Sequence, residues 1–198
     1  MDRLGGCWLV EDKELCRLLS SSLSLQMFIF LIYERNKIMQ LFILDKNPEV
    51  AVKMLADCHI IKMCLETAQI LSSVINNMQK ENDPNLPKPY NPKHPVIKAI
   101  NSQYKINYVL KYNKALHNEY IHRFKKQHAY FKLIQIYERI LFTPTKITHD
   151  YSFAMDFKNF NTTETNIFNA FKQYYKFKKS IIKRWKYTNA IEPEWLKE

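Results

Sequence analysis

The chain has 198 residues, of which 46% are hydrophobic and 25% are charged. This composition is typical of a globular protein, and the length suffices for one domain with a hydrophobic core. Glycine occurs only twice, at Gly5 and Gly6, which excludes glycine-rich phosphate loops from the rest of the chain and disfavours tight hairpin turns. The composition therefore predicts an all-α protein.

The charge is strongly basic and unevenly distributed. Thirty Lys and Arg residues stand against 19 Asp and Glu residues, a net charge of +11. Residues 1–38 contain five basic and five acidic residues, so the whole excess lies in residues 39–198. A domain this basic usually binds a polyanion, either nucleic acid or an anionic membrane surface.

The four cysteines form no C-x-x-C pair and no regular spacing. They are Cys7, Cys16, Cys58 and Cys64. Such usage is typical of reduced thiols, and it predicts an intracellular protein in a reducing compartment.

The first 38 residues differ from the rest and predict an N-terminal extension. They hold both glycines and an apolar run at 23–33, which is about half the roughly 20 residues that a membrane-spanning helix needs. Acidic residues precede this run, unlike in a signal peptide. We therefore expect a helical domain over 39–198, with a fresh start at Met39 as a serious option, and we regard membrane association as the weakest alternative.

The elements after Met39 follow from periodicity and capping. Leu41–Leu44 is predicted as a short buried strand or as the lead-in to a helix. Asn47 can cap a helix that Pro48 begins, and helical periodicity continues to Met78, with room for one break. A proline-rich loop and further helices are predicted at 81–95, Val96–Phe124, Gln127–Phe142 and Asn161–Lys186. The prediction is a single compact bundle of three to four helices with a proline-rich connecting loop.

A polar stripe lies on the first long helix. His59, Lys62, Glu66 and Gln69 recur at steps of three, four and three, and Ser73 extends the row. Residues at these spacings share one helix face, here beside the apolar stripe, where a cleft would lie. The alternative is a solvated face on which Lys62 and Glu66 form an ordinary ion pair.

The predicted last helix is rich in cations and aromatic rings. Cations on one helix can bind phosphates, and rings can stack on exposed bases. We expect the rings to pack in the core rather than stack on bases. The cations of residues 172–187 are Lys172, Lys176, Lys178, Lys179, Lys183, Arg184 and Lys186.

No metal site is expected. Glu119 and His122 have the E-x-x-H spacing of a di-iron helix, but no second E-x-x-H occurs in the chain. Cys58 and Cys64 are interpreted as small core residues.

The segment Leu55-Ala56-Asp57-x-His59, with Glu66 seven residues after the histidine, resembles the active-site helix of the phage pyrimidine-dimer DNA glycosylases, the endonuclease V family of T-even phages. A weaker similarity follows in the next helix, up to Arg123 and Phe124. The domain is also similar to small proteins of large DNA phages and viruses with an Asp-x-His-x-x-Lys-Met motif, which suggests a phage or viral source.

The resemblance implies an all-α monomer that binds duplex DNA and flips a damaged or modified base out of the stack without a cofactor. In that family the N-terminal amine attacks the sugar, and the resulting imine allows abasic-site lyase activity. The match gives Glu66 the assisting carboxylate and places His59 beside it.

The nucleophile is left open because 38 residues precede Met39. It is the amine of a chain starting at Met39, or Lys62 in its place, or the lyase chemistry is lost. The alternative function is a non-enzymatic nucleic-acid-binding or virion protein. The expected DNA contacts are Arg123, Lys178, Lys179, Lys183, Arg184 and His94.

Overall fold

The structure is a computed structural model that describes residues 40–81, 83–145, 150–154, 157 and 160–197. The backbone contacts divide the chain into two compact units, Met1–Ile38 and Met39–Glu198, and all described residues belong to the second. The predictions for the extension, for the apolar run at 23–33 and for Met39 lie outside the described residues.

The described part is helical and contains no strand, so the all-α prediction is confirmed. Two short 3₁₀ helices accompany the α-helices, at Ala129–Leu133 and Glu194–Leu196. The α-helices are α1 (Pro48–Lys53), α2 (Asp57–Gln79), α3 (Pro95–Ala99), α4 (Gln103–Phe124), α5 (Ile134–Leu141) and α6 (Ile167–Ile181).

The predicted first long helix is broken once, between α1 and α2. Asn47 caps α1 as expected, since its side chain accepts from the Glu49 N–H, and Pro48 occupies the first turn. The break at residues 54–56 frees backbone carbonyls that would otherwise be bonded within a helix. Side chains from distant parts of the chain bond to these carbonyls instead: Arg123 donates to the carbonyls of residues 53 and 55, and Tyr187 donates to that of residue 54.

The second and third predicted helices also differ from the structure in detail. The expected helix Val96–Phe124 is interrupted after Ala99, and Ser102 caps the new helix α4 by accepting from the Lys105 N–H. The expected helix Gln127–Phe142 begins instead as a 3₁₀ helix and continues as α5.

The last helix is shorter than predicted at both ends. It runs over Ile167–Ile181, and its cap is Asn166, whose side chain accepts from the N–H groups of Phe168 and Asn169. The Glu164 carboxylate accepts from the Asn166 N–H. The capping pattern predicted at Asn161 is therefore displaced by five residues along the chain.

The core forms around α2 and α4. The segment Leu41–Leu44 has no regular structure but is almost fully buried against them, so it is a lead-in rather than a strand. Buried tyrosines complete the core, and their hydroxyls bond to backbone carbonyls: Tyr112 donates to Phe42 and Tyr137 to Ala68. These bonds satisfy the polar end of each ring inside the core.

Helix α2 is long and apolar enough, by length and composition, to pass as a membrane-spanning helix. Most of its apolar stretch is, however, packed inside the domain. This is the usual state of a central core helix.

Candidate active site

The polar stripe predicted on α2 lies on one face of the observed helix. From His59 to Ser73 it spans 15 residues, and the 14 steps between them correspond to about 21 Å of helix axis. Different segments meet its two ends. Trp185 of the C-terminal segment packs on His59 with ring centroids 5.3 Å apart, and at the other end the Tyr90 N–H of the proline-rich loop donates to Ser73 Oγ at 2.8 Å.

Glu66 lies near the middle of this stripe and is only 6% exposed. Its Oε1 pairs with Lys62 Nζ at 3.1 Å, and the Lys62 side chain is 41% exposed. The predicted ion pair therefore exists, but it joins a nearly buried carboxylate to a solvated ammonium rather than lying on an open face.

The negative charge of Glu66 also acts on Tyr112, a buried tyrosine that bonds to the segment starting at Gln40. The pKa of Tyr112 is raised, chiefly by burial and further by the negative charge of Glu66. The same tyrosine hydroxyl donates to the Phe42 carbonyl at 3.3 Å. Tyr112 thus links Glu66 to the segment that begins at Gln40.

His59 is buried at the end of the stripe that the C-terminal segment contacts. Its Nδ1 lies 2.9 Å from the Tyr175 hydroxyl, which accepts from the Ala56 N–H at 2.8 Å. The tyrosine hydroxyl has a second lone pair and its own proton, so it either donates to His59 Nδ1 or accepts from it, depending on the tautomer of the ring.

The surroundings keep His59 neutral. Its ring contacts those of Phe42, Tyr175 and Trp185. Burial, with smaller contributions from the nearby ammonium groups of Lys62 and Lys178, lowers its pKa to about 3. A histidine with this pKa carries no charge at neutral pH, so it acts on neighbouring groups as a neutral imidazole with one N–H donor and one acceptor nitrogen.

Arg123, which the sequence predicted as a phosphate contact, is buried and bonded to protein oxygens in the structure. The side chain is 1% exposed, and all three guanidinium nitrogens donate to protein oxygens. Its Nε donates to Glu119 at 2.7 Å and its Nη1 to Asp57 at 3.1 Å. The guanidinium joins α4 to both sides of the α1–α2 break and is turned away from solvent.

Asp57, which sequence reasoning treated only as part of a motif, anchors the C-terminal segment. Besides Arg123, its carboxylate accepts from the Thr188 backbone N–H and from the Thr188 hydroxyl at 2.7 Å. Its own N–H donates to the Lys186 carbonyl. Asp57 thus holds the segment carrying Trp185 against the start of α2.

The C-terminal cations fall into two groups. Since α6 ends at Ile181, Lys183 and Arg184 lie beyond the helix, and both are exposed. Lys179 is half-buried, with Nζ 2.7 Å from Glu192 and 2.9 Å from the Leu196 carbonyl. Lys178 is half-buried over the Tyr174 ring and acts electrostatically on His59. The prediction of one continuous cationic helix is therefore wrong.

The aromatic residues of this region pack in the core, as expected. Tyr174 and Tyr175 are buried, and Phe177, Trp185 and Tyr187 are half-buried against the core.

His94 caps the short helix α3. Its Nδ1 accepts from the Val96 N–H at 3.3 Å, and its ring lies on Tyr90 with centroids 5.0 Å apart. The residue is half-exposed near the Ser73 end of the stripe. Its predicted contact with DNA stays a prediction.

The E-x-x-H spacing on α4 does not form a shared site. Glu119 is buried and accepts from Arg123, whereas His122 is exposed with Nε2 at 3.0 Å from the Asn189 carbonyl.

A family match covers this site. Residues 39–132 match the family model described as Pyrimidine dimer DNA glycosylase. The resemblance to these enzymes is thereby confirmed. The match includes the whole polar stripe and Arg123 but ends before α5 and α6. No curated protein and no solved structure matches the chain.

Proposed function

We propose that this protein is a DNA glycosylase that releases damaged or modified bases, pyrimidine dimers among them, from duplex DNA. The observation that chiefly supports this is Glu66. A nearly buried carboxylate, inside the region that matches a family of pyrimidine dimer glycosylases, lies on a polar helix face with an exposed ammonium beside it.

Base release by this mechanism requires a nucleophile and a negatively charged group next to the sugar. A neutral amine attacks C1′ of the flipped nucleotide, and the C1′–N bond electrons leave with the base, which takes up a proton. Positive charge develops on the sugar in this step, and the Glu66 carboxylate stabilises it. The amine nitrogen then loses a proton and forms a double bond to C1′ as the C1′–O4′ bond breaks and O4′ takes up a proton. The resulting imine would allow β-elimination, which cuts the strand as an abasic-site lyase does.

Lys62 is not positioned as a free neutral amine. Its ammonium is paired with Glu66 at 3.1 Å, so the pair must separate and the ammonium must lose a proton before its nitrogen can attack. A chain beginning at Met39 would instead carry an α-amine next to Gln40, because one residue spans at most about 3.6 Å. Gln40 is buried and belongs to the segment that Tyr112 links to Glu66. We therefore favour the Met39 amine.

The charges around the stripe suit a phosphate backbone. Lys62 and Lys178 both act on His59, and Trp185, which packs on that histidine, follows the exposed Lys183 and Arg184 directly. We assign phosphate contacts to Lys62, Lys183 and Arg184, with Lys178 as a neighbouring charge.

The test is base release from ultraviolet-irradiated duplex DNA, measured as new alkali-labile sites, with chains starting at Met1 and at Met39. We expect release by at least one of them, and its loss in Glu66→Gln. Glu138→Gln is the matched control, because Glu138 also pairs with a lysine, Lys114, at 2.9 Å, but lies on α5. Tight DNA binding without release of any damaged or modified base would favour the non-enzymatic alternative.

A further inference from the structure

Three metal-binding side chains converge on the side of α2 away from Glu66. Cys64 comes from α2, His117 from α4 and His128 from the turn after α4. One ligand atom from each lies within 4.8 Å of the other two. Cys64 and Glu66 are two residues apart on the helix and therefore point about 200° apart around its axis. This cluster is thus separate from the polar stripe.

His117 is the member that most needs a ligand. It is 1% exposed, and among the described residues neither of its ring nitrogens has a hydrogen-bond partner. Its neighbours are the rings of His128 and Phe131, with centroids 5.6 and 5.9 Å away. A buried polar group without a partner is unfavourable, and a metal ion would satisfy one of the two nitrogens.

We propose that Cys64, His117 and His128 bind one Zn²⁺ ion. One thiolate and two imidazoles are a donor set that zinc accepts readily, and three protein ligands leave a fourth position for water. Tetrahedral zinc requires donor atoms about 3.4–3.6 Å apart. The three donor atoms lie no more than 4.8 Å apart, so binding must shorten their separations by up to about 1.4 Å.

The protonation states are compatible with binding. Burial, with a smaller contribution from His128, lowers the pKa of His117 to about 4, so one of its ring nitrogens has a free lone pair at neutral pH. Burial raises the pKa of the Cys64 thiol to about 12. Zinc binding therefore releases one proton from Cys64 to solvent as the thiolate forms.

Zinc binding would break one long hydrogen bond of His128. His128 Nδ1 accepts from the Tyr130 N–H at 3.3 Å. Zinc on Nδ1 takes the same lone pair, and zinc on Nε2 moves the ring proton to Nδ1. The site would tie the turn that leads into α5 to the α2–α4 pair, and we expect it to act on stability rather than on DNA chemistry.

The test uses the full chain, freed of metal and titrated with Zn²⁺ or Co²⁺. We expect one equivalent of metal bound at this site, a rise in the melting temperature with Zn²⁺, and a thiolate-to-cobalt charge-transfer band with Co²⁺. The half-exposed His128 can be changed with little risk to folding. His128→Ala should weaken zinc affinity at least about 100-fold and abolish the melting shift.

The controls separate this cluster from other cysteines and histidines. Cys64→Ala should remove the charge-transfer band, whereas Cys58→Ala and the exposed-site variant His122→Ala should keep it. Zinc binding that survives His128→Ala, or no binding at one equivalent, would overturn the proposal. If Cys64→Ala fails to fold, the His128→Ala and His122→Ala pair still decides the outcome.

Discussion

At the scale of single residues, Arg123 shows how a charge can be entirely structural. It neutralises two buried carboxylates, Asp57 and Glu119, and donates to carbonyls at the α1–α2 break. Arg123→Met keeps much of the side-chain volume but leaves both carboxylates without their cation. We expect a loss of about 3–5 kcal/mol in the free energy of unfolding, measured by urea denaturation.

The matched control for this loss is Lys183→Met, which removes an exposed cation. It should change stability by less than about 0.5 kcal/mol and should weaken DNA binding instead. If Arg123→Met were as stable as the wild type and bound DNA more weakly, Arg123 would be a phosphate contact after all.

His59 makes stability depend on pH with a defined sign. Its pKa is about 3 in the folded protein, against the ordinary histidine value of 6.5 in the unfolded chain, so between these values the unfolded chain binds more protons. The contribution of His59 to stability is therefore complete above pH 6.5 and is lost as the pH falls toward 3. His117, whose pKa is lowered to about 4, adds to the same trend.

The test of His59 is the melting temperature between pH 7 and pH 4. His59→Phe keeps a ring of similar size and removes the titrating group, so its melting temperature should fall less steeply with acidification than that of the wild type. His122→Phe, at an exposed position, should keep the wild-type slope. Equal slopes for wild type and His59→Phe would mean that His59 is already accessible and protonated near pH 6.

At the scale of elements, two helices end in a left-handed residue although the domain has no glycine. Lys80 and Lys125, with φ of 60° and 56°, follow α2 and α4. This conformation costs a residue with a Cβ roughly 1–2 kcal/mol, and glycine avoids that cost. Lys125→Gly should therefore leave stability unchanged or raise it by up to about 1 kcal/mol.

The comparison for this variant is Lys111→Gly, at an exposed position inside α4. There the same substitution should cost about 1 kcal/mol, measured by thermal or chemical denaturation. A similar loss at both positions would contradict the left-handed cap at Lys125.

The sequence predicted those elements whose signals are local. Asn47 and Pro48 mark the start of α1, and the spacing of His59, Lys62 and Glu66 places them on one face of α2. The break before α2 depends instead on Arg123 and Tyr187. Local periodicity cannot reveal partners that lie about 70 and 130 residues away in the sequence.

The same limit applies to the charged residues of the candidate site. Arg123 was predicted as a phosphate contact although it forms an i,i+4 pair with Glu119, because its burial depends on the whole fold and is not visible in the sequence. The Lys62–Glu66 pair was expected from spacing, but the near burial of Glu66 was not. The aromatic surroundings of His59 come from Phe42, Tyr175 and Trp185, which periodicity on α2 does not reveal.

At the scale of the whole molecule, the excess positive charge should appear as salt-dependent DNA binding. Each phosphate contact contributes a slope of about −0.9 to the logarithm of affinity against the logarithm of salt concentration. Replacing both Lys183 and Arg184 by alanine should therefore weaken binding to all sequences and reduce the slope by up to about 2.

Two controls accompany this double variant in fluorescence anisotropy titrations. Lys126→Ala with Lys132→Ala removes the same charge from exposed positions near α5 and should leave the slope almost unchanged. Lys179→Ala removes a cation already paired with Glu192 and should also have little effect. An unchanged slope for the Lys183 and Arg184 variant would remove this segment from the interface.

The central claim is that an amine and the Glu66 carboxylate meet at a flipped nucleotide. The most direct test is borohydride trapping of the chain starting at Met39 on duplex DNA that carries a pyrimidine dimer or an abasic site. Reduction of the imine should give a covalent protein–DNA adduct that maps to the amine of Met39, and Glu66→Gln should give no adduct on the dimer while still binding DNA. No adduct on either substrate, from a protein that is folded and binds DNA, would contradict the account.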